Sequence, residues 1–186
     1  MRNRTVNLIC LSGLLAVAFT AHAQSAPASQ PPASPPPAPP PAASVDFDSP
    51  PTTSLLLEAH GEGVQIYTCQ KDSDWAWKLK APDATLFDQD GKAIGKHFAG
   101  PTWRLNDGSE VQGKVLQVRQ QPGTIPWLIL SAQSIGAQGR LSQANIVRRT
   151  QTSGGLAPSS GCDAEHAGAE ARIPYSATYS FFNTKQ

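Results

Sequence analysis

The chain predicts an all-β fold, an antiparallel sandwich or barrel of roughly eight short strands with at most one short helix. Three observations predict it. Apolar residues recur with the period-two spacing of strands. Glycine-bearing turn signals separate the alternating runs. A single stretch, residues 164–171, has a composition that favours helix.

Taken in order, Val64, Ile66 and Thr68 alternate with Gln65, Tyr67 and Cys69, and Trp75, Trp77 and Leu79 alternate with Ala76, Lys78 and Lys80. Residues 84–87 lead into the turn Asp88-Gln89-Asp90-Gly91, and residues 93–98 and 102–105 follow it. Asn106-Asp107-Gly108 is the next tight turn, placing glycine where positive φ is cheap. Residues 111–118 form a further strand, with Gly113 marking a bulge. Trp127-Leu128-Ile129-Leu130 is continuously apolar and reads as a central strand buried on both faces, with Trp127 in the core. Residues 144–149 are another strand, and residues 152–158 read as loop. Ala and Glu dominate residues 164–171, where a short helix is expected, although Gly168 weakens it. Finally Ile173, Tyr175, Ala177, Tyr179 and Phe181 share one strand face opposite Ser176, Thr178 and Ser180.

Three segments are expected. Residues 1–23 read as a cleavable signal peptide: Arg2 and Arg4, an apolar run over residues 8–19, then Ala21-His22-Ala23 before the cut. That run is shorter than the about 20 residues a membrane-spanning helix needs. Residues 24–51 form a Pro/Ala/Ser-rich spacer holding 11 of the 17 prolines, which can pack as neither helix nor sheet. Residues 52–186 are one β-rich domain. The expected location is periplasmic or extracellular, with no stable membrane insertion after cleavage. Without Arg2 and Arg4, 13 basic residues face 14 acidic ones. That balance leaves no electrostatic footprint for nucleic acid.

Cys10 departs with the signal, leaving Cys69 and Cys162. In an oxidising compartment such a pair is expected to form a disulfide, worth roughly 4–5 kcal/mol at best for so long a loop. Free thiols or metal ligands are the alternatives, but no CxxC spacing or dense Cys/His cluster supports zinc.

Chemical motifs are sparse. Gly61-Glu62-Gly63 begins like a dinucleotide fingerprint, but Ile66 stands where the third glycine belongs and a strand follows, so a glycine-rich bend before a strand is expected. Asp88-Gln89-Asp90-Gly91 lacks the remaining ligands of a calcium loop. No HExxH or GxSxG is present, and no cofactor is implied. Of His60, His97 and His166, His97 stands out, because the bend at Gly100-Pro101 can bring its imidazole near the indole of Trp103. Trp75 and Trp77 share a face, so both are buried or both form an aromatic platform for a flat apolar ligand, and core packing is the expectation. Arg148-Arg149 reads as a solvated strand edge rather than an anion site.

In combination these segments resemble a family of exported proteins catalogued as domain of unknown function 3455. The resemblance runs from about Leu55 to Phe182. It rests on Gly61-Glu62-Gly63-Val64-Gln65-Ile66-Tyr67-Thr68-Cys69, on His97 with Gly100-Pro101-Thr102-Trp103, on Ile125-Pro126-Trp127-Leu128, on Gly154-Gly155-Leu156-Ala157-Pro158, and on Pro174-Tyr175-Ser176-Ala177-Thr178-Tyr179. It implies no activity, substrate or catalytic residue. A malate dehydrogenase label carried by some relatives conflicts with the broken fingerprint.

The functional expectation is a non-catalytic binding or surface-interaction module for a small-molecule, glycan or cell-envelope ligand. Its pocket is expected near His97, Trp103 and Arg104, with His60. The rival expectation is a hydrolase or metal-assisted enzyme using His60 or His97.

Overall fold

The computed structural model describes residues 46–48 and 54–184. The expected signal segment, and the spacer apart from residues 46–48, lie outside the described residues. The domain consists of strands β1 (Ser54–Lys71), β2 (Trp75–Phe87), β3 (Ala93–Phe98), β4 (Thr102–Leu105), β5 (Glu110–Gln121), β6 (Thr124–Ser134), β7 (Ile146–Gly154) and β8 (Glu170–Asn183). Each pairs antiparallel with the next, and β1 pairs with β8, so the sheet closes into an up-and-down barrel. Closure leaves no terminal strand with a free edge. Among the described residues no helix is long and apolar enough to cross a membrane.

Several elements differ from expectation for local reasons. Residues 75–80 and 84–87 belong to one strand, β2, which runs through Ala81-Pro82-Asp83. Pro82 is tolerated because β2 pairs with β3 only from Ala84 onward, leaving that flank of Pro82 without a ladder to break. Gly61 and Gly63 form no bend. They lie within β1, opposite Leu86 and Ala84. A Cβ at Gly61 would sit 2.6 Å from the Tyr179 ring, so the glycine is what lets this large side chain cross the barrel. The register of β5 against β6 shifts between Val115 and Gln117 and again between Arg119 and Gln121, rather than at Gly113. The expected helix shrinks to one 3₁₀ turn, Ala164–His166, capped by the Asp163 carboxylate. Gly168, at φ +79°, ends it, and backbone hydrogen bonds between Cys69 and residues 168–169 draw the chain back towards the sheet.

The β2–β3, β4–β5 and β6–β7 connections lie at one end of the barrel, called lower here, and the other connections lie at the upper end. The lower half is filled. Leu57, Leu86, Trp103, Leu105, Val111, Leu130, Val147, Tyr179 and Phe181 point inward, and Leu141 and Ala144 from the β6–β7 connection close the floor. Asp107 holds that connection in place, accepting from the Arg140 and Ser109 amides and the Ser109 hydroxyl.

At the upper end Cys69 and Cys162 are joined, with Cα atoms 5.3 Å apart. The bond ties the end of β1 to the long β7–β8 connection, which the Trp77 indole also holds by donating to the Ser160 carbonyl at 2.9 Å. Trp75 and Trp77 are half-exposed beside this connection rather than in the core. Trp127 is also outside the core. It faces outward from β6 and packs with Ile129 and Ile146 under Phe47. The Arg119 guanidinium lies over the Phe47 ring and binds both oxygens of Asp48.

Candidate functional site

The upper half of the barrel is hollow because β3 and β4 are short. They contribute 6 and 4 residues, against 13 in β2 and 12 in β5. Ladder pairing therefore stops at Ala84–His97 on one side and Thr102–Gln112 on the other. Above that level the flanks of β2 and β5 face each other across a gap in the wall. The gap is framed by Leu79–Pro82 of β2, Gly100-Pro101 of the β3–β4 turn, and Val115 and Val118 of β5. Leu79, Val115 and Val118 are 58%, 46% and 52% exposed, an unusual degree for apolar side chains on three neighbouring wall positions.

Behind this portal lies a cavity of about 430 Å³, within the usual size range of small-molecule sites. Ile125, Pro126 and Leu128 extend its apolar wall, and Gln65, Tyr67, His97 and Arg149 supply its polar groups.

His97 separates the cup from the core below. Its ring stacks on Trp103, with centroids 4.5 Å apart and planes within 5°. Trp103 in turn meets Tyr179 and Phe181 edge-on. The His97 Nδ1 lies 2.9 Å from the Thr102 carbonyl. A carbonyl only accepts, so Nδ1 carries the proton and Nε2 remains an acceptor. Burial pushes the His97 pKa down to about 3; the bond to Thr102 opposes this and the positive charge of Arg149 adds to it. The imidazole is neutral at pH 7.

Arg149 enters the cup through strand alternation. It stands opposite Leu128 of β6 and Tyr179 of β8, on the same face as Val147. The expected solvated edge does not exist, since β7 has a neighbour on each side; Arg148 points outward over Phe182, and Arg149 inward. The β6–β7 ladder ends at Leu128–Arg149, which frees the Pro126 carbonyl. Both Nε and Nη2 of Arg149 donate to that carbonyl, at 3.1 and 2.8 Å. Beyond it β7 bulges between Thr150 and Ser153, with Gln151 at φ +49°. Side-chain bonds from Thr152 to the Ile125 carbonyl and from Thr124 to the Gly154 carbonyl replace the ladder there. The charge of Arg149 also acts on Tyr67, Tyr175 and Tyr179, lowering pKa values that burial raises.

Tyr67 donates to the Gly155 carbonyl at 2.6 Å. Gly155 is at φ +78°, and a Cβ there would lie 2.8 Å from that of Tyr175, so only glycine fits this closure of the wall. Gln65 is 2% exposed, and its amide Nε2 has no partner among the described residues.

Of the four residues singled out in the sequence, His97 alone lines the cup. Trp103 is buried in the core directly behind it. Arg104 lies on the outer face of β4, ion-paired with Glu110 and over the Phe98 ring. His60 is exposed on the outside of β1, 3.1 Å from Glu62. His166 pairs with Asp163 on the β7–β8 connection. Asp88 accepts from the Asp90 and Lys92 amides, so its carboxylate serves the turn. Among the described residues no cluster of His, Cys, Asp or Glu has metal-site geometry. Sequence reasoning missed Arg149, Gln65 and Tyr67. The available signal was an arginine on the same parity as Val147.

A closed antiparallel meander with one packed half and one hollow half belongs to the class of small up-and-down β-barrels with an interior cavity. Within that class, the chain is a member of the family described as Protein of unknown function (DUF3455), whose profile matches residues 50–183. No curated protein and no solved structure matches the chain.

Proposed function

We propose that the domain is a non-catalytic binding module that holds a small, largely apolar molecule in the barrel cup, and that it acts outside the cytoplasm, where its disulfide can form. The observation that carries this reading is the cavity behind the apolar portal of Leu79, Val115 and Val118. Three exposed apolar side chains cost solubility and contribute nothing to the packed lower core. They make sense as the entrance to a site.

The lining supports binding over hydrolysis. It contains no carboxylate, thiol, serine or threonine; Lys80 is held by Glu170 and burial raises the pKa of the Tyr67 phenol, which leaves His97 as the base for activating water. A base with a pKa of about 3 removes few protons at pH 7. Its predominantly apolar wall also favours an apolar body over a glycan, whose hydroxyls need many polar partners.

Titration of the full chain with N-phenyl-1-naphthylamine, a neutral fluorophore that brightens in apolar surroundings, tests the reading. Saturable one-to-one binding is expected, and Val118→Trp and Leu79→Trp, both at exposed rim positions, should weaken it at least about tenfold. Absence of saturable binding, or equal binding by folded rim variants, would overturn it.

A further inference from the structure

Arg149 is an expensive residue to place inside a barrel. Its side chain is partly withdrawn from water, and desolvating a guanidinium costs stability unless a counter-charge and hydrogen bonds compensate it. Among the described residues no carboxylate forms an ion pair with Arg149, and its partners are neutral oxygens, the Pro126 carbonyl and the Tyr179 hydroxyl. The guanidinium has five N–H donors, so the fork is only partly occupied. Lys80, the other cation of the lining, is committed to Glu170 on the outside. The cup thus carries one uncompensated positive charge.

Gln65 supplies a second, independent observation. Its side chain is almost completely buried, it lines the same cavity, and its amide donor is unpartnered. A buried donor without an acceptor costs stability. His97, the remaining nitrogen group of the lining, is neutral and adds no competing charge. The cup therefore offers one charged donor, Arg149, and one neutral donor, the Gln65 amide, beside the neutral ring acceptor His97 Nε2, in otherwise apolar walls.

We infer that the ligand is an amphiphile with a single anionic head of the carboxylate class, its head meeting Arg149 and Gln65 and its apolar body lying along Leu128, Val118 and Leu79 towards the portal. This rests on the proposed binding reading and adds the ligand's chemistry to it. Arg149 supplies the planar fork that matches a carboxylate. One oxygen can take the free donors of Arg149, while a rotation of the Gln65 side chain would present its buried amide to the other. Aromatic and aliphatic acids share this chemistry, and the test separates them.

The experiment uses matched pairs on the full chain: 2-naphthoate against 2-naphthalenemethanol, and decanoate against decanol, each competing with N-phenyl-1-naphthylamine. The wild type should bind at least one acid about tenfold or more tighter than its alcohol, since a charge-assisted bond outweighs a neutral one; which pair shows it identifies the aromatic or aliphatic class. Arg149→Met should erase that preference and melt at or above the wild-type temperature, because an apolar isostere removes an unpaired charge. Gln65→Leu should lower acid affinity more than alcohol affinity. Arg149→Lys keeps the charge and should keep part of the preference, which tests the idea even if the methionine variant fails to fold. Equal binding of acids and alcohols, or an acid preference that survives Arg149→Met, overturns the inference while the fluorophore still binds. Loss of fluorophore binding in the wild type overturns the underlying reading instead.

Discussion

Acid should unfold this barrel partly through His97, and the effect can be isolated. The folded-state pKa is depressed to about 3 from an ordinary 6.5, first by burial against Trp103 and Tyr179, with Arg149 adding to it. Well above pH 6.5 neither the folded nor the unfolded chain protonates this ring, so it contributes little to the pH dependence at pH 7 and above. Between pH 6.5 and about 3 the unfolded chain takes up a proton that the folded chain refuses, and stability falls as pH falls. At about 1.4 kcal/mol per pH unit, the loss from this group reaches about 3 kcal/mol by pH 4. Below pH 3 both states are protonated and the loss levels off. The perturbation is His97→Gln, which keeps a donor for the Thr102 carbonyl but cannot titrate. Urea unfolding followed by tryptophan fluorescence at pH 7, 5.5 and 4 compares the two proteins. Carboxylates held at depressed pKa values, such as Asp107, destabilise both proteins alike in acid and cancel in the difference. Whatever the substitution costs at pH 7, the wild type should lose about 3 kcal/mol more than the variant between pH 7 and pH 4. Parallel pH profiles, or an imidazole that titrates near 6.5 by NMR, would refute the reasoning.

Two further outcomes concern the frame around the cup. Replacing Cys69 and Cys162 together with alanine should cost about 2–5 kcal/mol in urea unfolding, because the bond spans 93 residues and ties β1 to the β7–β8 connection; an unchanged midpoint would contradict this. Gly61→Ala should destabilise by about 1–3 kcal/mol through overpacking, since its Cβ would meet the Tyr179 ring. A neutral result in thermal melts would mean that Tyr179 moves aside freely.

What could be read from the chain alone was local. Period-two alternation and Asx-Gly turns need no distant partner, which is why the all-β class and most strand positions were legible. The pairing of Cys69 with Cys162 followed from arithmetic, and the family from short words spread along the domain. Tertiary structure decided the rest. Whether eight strands form two sheets or close on themselves depends on the β1–β8 pairing, between segments more than 100 residues apart. Only closure assigns an inside. Val64 and Ile66 look like the buried face of β1, yet Gln65 and Tyr67 face inward, because the interior at that level is a cup rather than a core. Closure likewise turns Arg149 from an expected edge charge into the cation of the cavity. The hollow itself arises where two short strands stop beside two long ones, a mismatch that has meaning only once all four stand in the same wall.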